Sequence, residues 1–185
     1  MIPPRIFMQV IKNKKYTVYF FAPLLFMSCL SVNLRADVSD TERQFLDQEL
    51  YALNDAINKE PKLASPYISR GLIFIRRSEF DRAIVDFNNA LRSSPNLPVA
   101  YYCRGLAHAG KNALDEAIGD FTKAIELESD MGGAYYNRAI AYFGKKNYEA
   151  AYADLQSAKN LKVEIEPEFE AQLQSHLPPT PPQQA

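Results

Sequence analysis

The chain has 185 residues, room for one domain with or without a leader. Apolar residues make up 47%, enough for a packed core, while 7 Gly and 12 Pro exclude collagen-like and low-complexity classes. The net charge of −1 hides an asymmetry. Residues 1–36 hold five bases and no acid, and residues 37–185 hold 16 bases and 22 acids, a net −6, which argues against binding nucleic-acid phosphates.

Lys12, Lys14 and Lys15 precede an uncharged run at residues 16–34. A basic segment followed by an apolar one is the pattern of a secretory signal, with small Ala36 as the expected last residue before cleavage. Two alternatives stand beside it. The run is 19 residues long, close to the ~20 that span a bilayer, so retention as an anchor is one. Pro23, Ser28, Ser31 and Asn33 weaken it. The other is lipidation of Cys29, because Leu25-Phe26-Met27-Ser28-Cys29 resembles the lipobox of bacterial lipoproteins, with Ser28 fitting it and Phe26 and Met27 fitting poorly. All three send the body of the chain across a membrane, to the periplasm or outside the cell if the source is bacterial. Membrane contact is expected through this segment alone.

After the leader, Leu46, Leu50 and Leu53 form an apolar stripe at helical spacing, so residues 40–59 read as a helix. A repeat of period 34 follows. With Ala64, Pro98 and Gly132 at position 1, five positions are identical in three copies. They are Tyr67/Tyr101/Tyr135 at position 4, Arg70/Arg104/Arg138 at 7, Ala83/Ala117/Ala151 at 20, Asp86/Asp120/Asp154 at 23 and Ala90/Ala124/Ala158 at 27. Each copy reads as helix A, a polar turn and helix B. Pro66 and Pro98 suit a first helical turn, and Asp81, Asp115, Glu116 and Glu149 sit near the positive ends of the B helices. Small residues at positions 8, 20 and 27 let paired helices approach, and aromatics fill the remaining space. Past the third copy, Phe169 and Leu173 mark a short capping helix, polar elsewhere, of the kind a repeat array needs at its end. The Pro-rich residues 178–185 read as a mobile tail. The expected division is a leader at 1–36, a flanking helix at 37–63, repeats at 64–97, 98–131 and 132–165, a cap at 166–177 and the tail.

Few residues invite chemistry. His108 stands at position 11, where the sister copies have Phe74 and Tyr142, so it reads as an aromatic packing position filled by imidazole. Cys103 has no neighbouring base to activate it. Two Cys and two His are too few for a structural zinc site, and no phosphate loop or nucleophile elbow is present. No catalytic residue, metal or cofactor is expected. Arg70, Arg104 and Arg138 face Asp86, Asp120 and Asp154 in the same copy and are expected to form an ion-pair ladder, with an anion-binding arginine row as the rival reading.

Period, layout and residue types resemble the tetratricopeptide repeat (TPR). That pattern has an aromatic at 4, Gly or Ala at 8, Tyr at 11, Ala at 20, Phe at 24, Ala at 27 and Pro at 32, met in the first copy by Tyr67, Gly71, Phe74, Ala83, Phe87, Ala90 and Pro95. The second copy departs at His108 and Ser129, the third at Leu155 and Val163. The resemblance implies an all-α, right-handed superhelical solenoid of antiparallel helix pairs, about three units with flanking helices, acting as an adaptor between proteins. It also implies that the A helices line a concave groove, here made of Ile68, Leu72, Ile75, Val99, Tyr102, Cys103, Leu106, Tyr136, Asn137, Ile140 and Phe143. Family members that clamp a C-terminal carboxylate place Lys and Asn at positions held here by Ile68, Leu72, Cys103, Gly133 and Asn137; none of these carries a cation, so that clamp is absent. The expected partner is an apolar or amphipathic protein or peptide segment. Self-association through the same face and occlusion by the chain's own flanks are the competing readings.

Overall fold

A computed structural model of the chain describes residues 34–178. The expected leader through Asn33, with Cys29, and residues 179–185 of the expected tail lie outside them. Among the described residues there are eight α-helices and no strand: α1 (Leu34–Lys59), α2 (Ala64–Arg76), α3 (Phe80–Ser93), α4 (Pro98–Gly110), α5 (Leu114–Leu127), α6 (Gly132–Gly144), α7 (Tyr148–Asn160) and α8 (Pro167–Ser175). Among the same residues no helix is long and apolar enough to cross a membrane. The helices fall into two compact units that meet in sequence between Pro95 and Asn96.

In the first unit α1 is one continuous helix of 26 residues that begins at Leu34, inside the expected leader. It buries Leu46 and Ile57 and packs on α2, which pairs with α3. In the second unit α4 pairs with α5 and α6 with α7, α6 also packs on α5, and α8 closes against α7. The short turns make each pair antiparallel. They are built alike. Ser78, Asn112 and Lys146 have φ of 58°, 61° and 62°. Each lets the next backbone N–H reach back to a carbonyl of the A helix: Glu79 to Phe74 at 2.8 Å, Ala113 to His108 at 2.9 Å and Asn147 to Tyr142 at 2.9 Å. A left-handed residue closing a helix this way satisfies carbonyls that would otherwise lack partners.

The repeated small residues explain the close pairing. Ala83, Ala90, Ala117, Ala124, Ala151 and Ala158 have no exposed surface. A Cβ added at Gly71 would lie 2.6 Å from Phe87, and one at Gly105 2.7 Å from Phe121. In the third copy the same contact is made by Ala139 and Leu155, both fully buried, so the extra methyl is matched by a smaller partner.

Candidate functional site

The three invariant arginines are held in one way. Arg70 Nε and Nη2 donate to Asp86 at 2.8 and 2.7 Å, Arg104 to Asp120 at 2.8 and 2.6 Å, and Arg138 to Asp154 at 2.7 and 2.8 Å. The aspartates are buried, with Asp86 only 1% exposed. Two parallel hydrogen bonds on a carboxylate are the strong form of this pair. Hydrogen bonding to the aspartate pushes each arginine pKa up. The remaining nitrogen reaches further: Arg70 Nη1 donates to Asn54 of α1 at 2.6 Å, and Arg138 Nη1 to Thr122 of α5 at 2.9 Å. Tyr67, Tyr101 and Tyr135 lie beneath the guanidinium groups at 5.8, 5.4 and 5.6 Å from the ring centres. One arginine therefore ties its own A and B helices, Arg70 also ties α1, and Arg138 also ties α5. Sixteen residues separate each arginine from its aspartate and, in the other direction, Arg70 from Asn54 and Arg138 from Thr122; Asn54 and Thr122 lie two periods apart, at one position of the 34-residue frame. With both carboxylate oxygens engaged by the guanidinium fork, the rows stabilise the array, and their geometry does not favour a free anion-binding row.

On α2 of the first unit, Ile68, Leu72 and Ile75 stand at i, i+4 and i+7 on one face and are half-buried. Exposed Ser65 and Arg76 flank them, while Tyr67, Gly71 and Phe74 are buried. The stripe is apolar and retains access to solvent.

In the second unit, Val99, Tyr102 and Phe143 are half-buried. Cys103, Leu106, Tyr136, Asn137 and Ile140 are buried, which corrects the expectation that they line an open groove. Tyr136 and Ile140 belong to a cluster with Ala151, Leu155, Phe169 and Leu173. Phe169 of α8 packs edge-on against Tyr136 at 5.8 Å and against Phe143 at 5.5 Å. Asn137 Nδ2 donates to the Tyr102 hydroxyl at 3.1 Å and to the Gly133 carbonyl at 2.9 Å. A-helix positions that would face a partner in an isolated copy are covered once a further helix is stacked on them. For α6 that helix is α8.

Burial pushes the Cys103 thiol up to about 12, so at neutral pH it is protonated and a poor nucleophile. Burial also pushes the Tyr102 phenol up. His108 is shifted down, chiefly by burial, although its Nε2 lies 3.8 Å from Asp120. Among the described residues no group of three His, Cys, Asp or Glu side chains could hold a metal ion.

The sequence matches the family model described as TPR repeat over residues 71–112 and that described as tetratricopeptide repeat over residues 132–162. No curated protein matches it. Among solved structures, MamA is similar at 21% identity and a TM-score of 0.61, covering 71% of this chain and 74% of that one. The Arabidopsis OM64 TPR domain matches at 21% identity and 0.60, covering 62% and 96%. The first TPR domain of Spaghetti (RPAP3), solved with the HSP90 peptide SRMEEVD, matches at 22% and 0.57, covering 61% and 89%. Likeness at this level carries the fold alone, and that fold is the all-α helical solenoid built from helix pairs. Residues 71–112 and 132–162 of the chain are tetratricopeptide repeats.

Proposed function

We propose that this chain is an exported adaptor that holds a polypeptide partner against the accessible faces of its A helices, without a cofactor. The reading rests on the half-buried apolar stripe Ile68, Leu72 and Ile75, an i, i+4, i+7 pattern of the kind that takes an apolar or amphipathic segment. Support comes from the family, whose repeats serve as interaction scaffolds, and from the Spaghetti domains, both solved with a bound HSP90 peptide. That peptide is acidic, whereas this stripe carries no cation, so the segment favoured here is apolar. Export rests on the basic residues and uncharged run at 12–34. In bacteria the body would work in the periplasm or outside the cell. If Cys29 is lipidated or the run retained, the same body would work as an assembly factor at the membrane surface.

The test is affinity capture from the native source with the mature protein, compared with Ile68→Glu plus Ile75→Glu. Loss of the captured polypeptide with an unchanged helical spectrum supports the assignment; equal capture by the folded variant refutes it.

A further inference from the structure

The most informative segment outside the repeats is α8. It has nine residues, short of the ~12–15 at which even a favourable isolated helix becomes marginal in water. No side chain caps its N-terminus. Its helical form therefore depends on what it rests on. Phe169 is 2% exposed and Leu173 fully buried, at i and i+4, and they are its only buried residues. Glu168, Gln172 and Gln174 are exposed. The seat is the A-helix face of α6, with the Tyr136 and Phe143 rings edge-on to Phe169, floored by Leu155 of α7. A charge at the rim matches: Glu170 accepts a hydrogen bond from Lys159 of α7. Past the helix, His176 stacks on Tyr148 at 4.4 Å. The connector is anchored short of the helix, because Val163 presses into the space left by Gly132, where an added Cβ would lie 2.5 Å away. Release of α8 needs movement only beyond Val163.

We infer that α8 is an internal occupant of a helix-receptor surface on α6, and that a partner segment with an aromatic and a leucine four residues apart, and a carboxylate directly after the aromatic, takes its place. This extends the reading above to α6 and rests on it in treating A-helix faces as receptors. Binding at this end of the array is then gated by α8, with the partner paying first for its displacement.

The test uses the full chain and, as probe, a fluorescent peptide of residues 164–178. Phe169→Ser with Leu173→Ser in the full chain releases α8 from its seat. The peptide should bind this variant about tenfold more tightly than the wild type, the factor expected if α8 is docked about nine-tenths of the time. A peptide carrying the same two serines should not bind. Hydrogen exchange of the wild type should show α8 amides opening faster than those of α6 and α7. A variant that keeps its helical spectrum and cooperative melt but ignores the peptide overturns the inference. So does a variant that loses cooperative unfolding, since α8 is then an inseparable part of the core. The α2 substitutions report separately, so failure here leaves their outcome intact.

Discussion

Replacing Gly105 by alanine places a methyl 2.7 Å from Phe121 Cε1 and 2.8 Å from Cδ1. Carbon atoms pack best at about 3.5–4.0 Å, so the ring or the helix must give by about 0.8 Å. Phe121 has no exposed surface and nowhere open to move. Overpacking of this kind costs about 1–3 kcal/mol, offset by about 1 kcal/mol of helix propensity gained over glycine. The net expected loss is about 0–2 kcal/mol. Phe121→Leu alone leaves a void and should cost about 1–2 kcal/mol. The two together recreate the Ala139–Leu155 contact that the third copy buries completely. The double variant should therefore lose about 1 kcal/mol or less, less than the sum of the two single losses, a coupling on the order of 1 kcal/mol. Urea titration followed by helical circular dichroism measures all four corners of the cycle. Additive losses would refute the claim that the glycine exists to admit the ring.

Three further outcomes are expected. Arg138→Ala leaves Asp154, only 6% exposed, without its fork of hydrogen bonds; the cost should be about 3 kcal/mol, at the low end for a buried pair because Arg138 keeps 15% exposure, and Arg138→Met with Asp154→Leu should recover most of it in a thermal melt. Lys146→Gly relieves a left-handed backbone at φ 62° and should raise stability by about 0.5–1 kcal/mol, measured by the same melt. His108 has a folded pKa below its ordinary 6.5, chiefly through burial, with Asp120, Arg104, Glu116 and Lys111 around it. The unfolded chain then binds the proton more readily, so this histidine's contribution is intact above 6.5 and declines as pH falls below it. His108→Phe should lose less stability than the wild type between pH 7 and pH 5, and an equal loss in both proteins would contradict the assignment.

The fold was legible because the repeat constrains the same contact three times. Tyr67, Arg70, Ala83, Asp86 and Ala90 recur with one spacing, and each answers to a contact that only that residue type makes: a ring under a guanidinium, a fork on a carboxylate, a methyl at a helix crossing. The surface was less legible. Whether an A-helix side chain is open or covered depends on the next helix, and no pattern within one copy encodes it. Tyr136 and Tyr102 share position 5, yet Tyr136 is buried under Phe169 while Tyr102 keeps some access. Two further ties, Arg77 to Asp47 and Lys145 to Asp115, do follow the period: a base recurs at Arg77, Lys111 and Lys145 and an aspartate at Asp47, Asp81 and Asp115, so the sequence marks both ends.

The central claim is that the A-helix face of the repeats is where a polypeptide is held. Its most direct test is photo-crosslinking in the native source with the full chain, placing the reactive side chain at Ile68 on the α2 stripe or at Val85 on α3, which is 59% exposed. The account predicts a covalent polypeptide adduct from Ile68 and none from Val85. Adducts from Val85 alone, or equal yields from both positions, would contradict it.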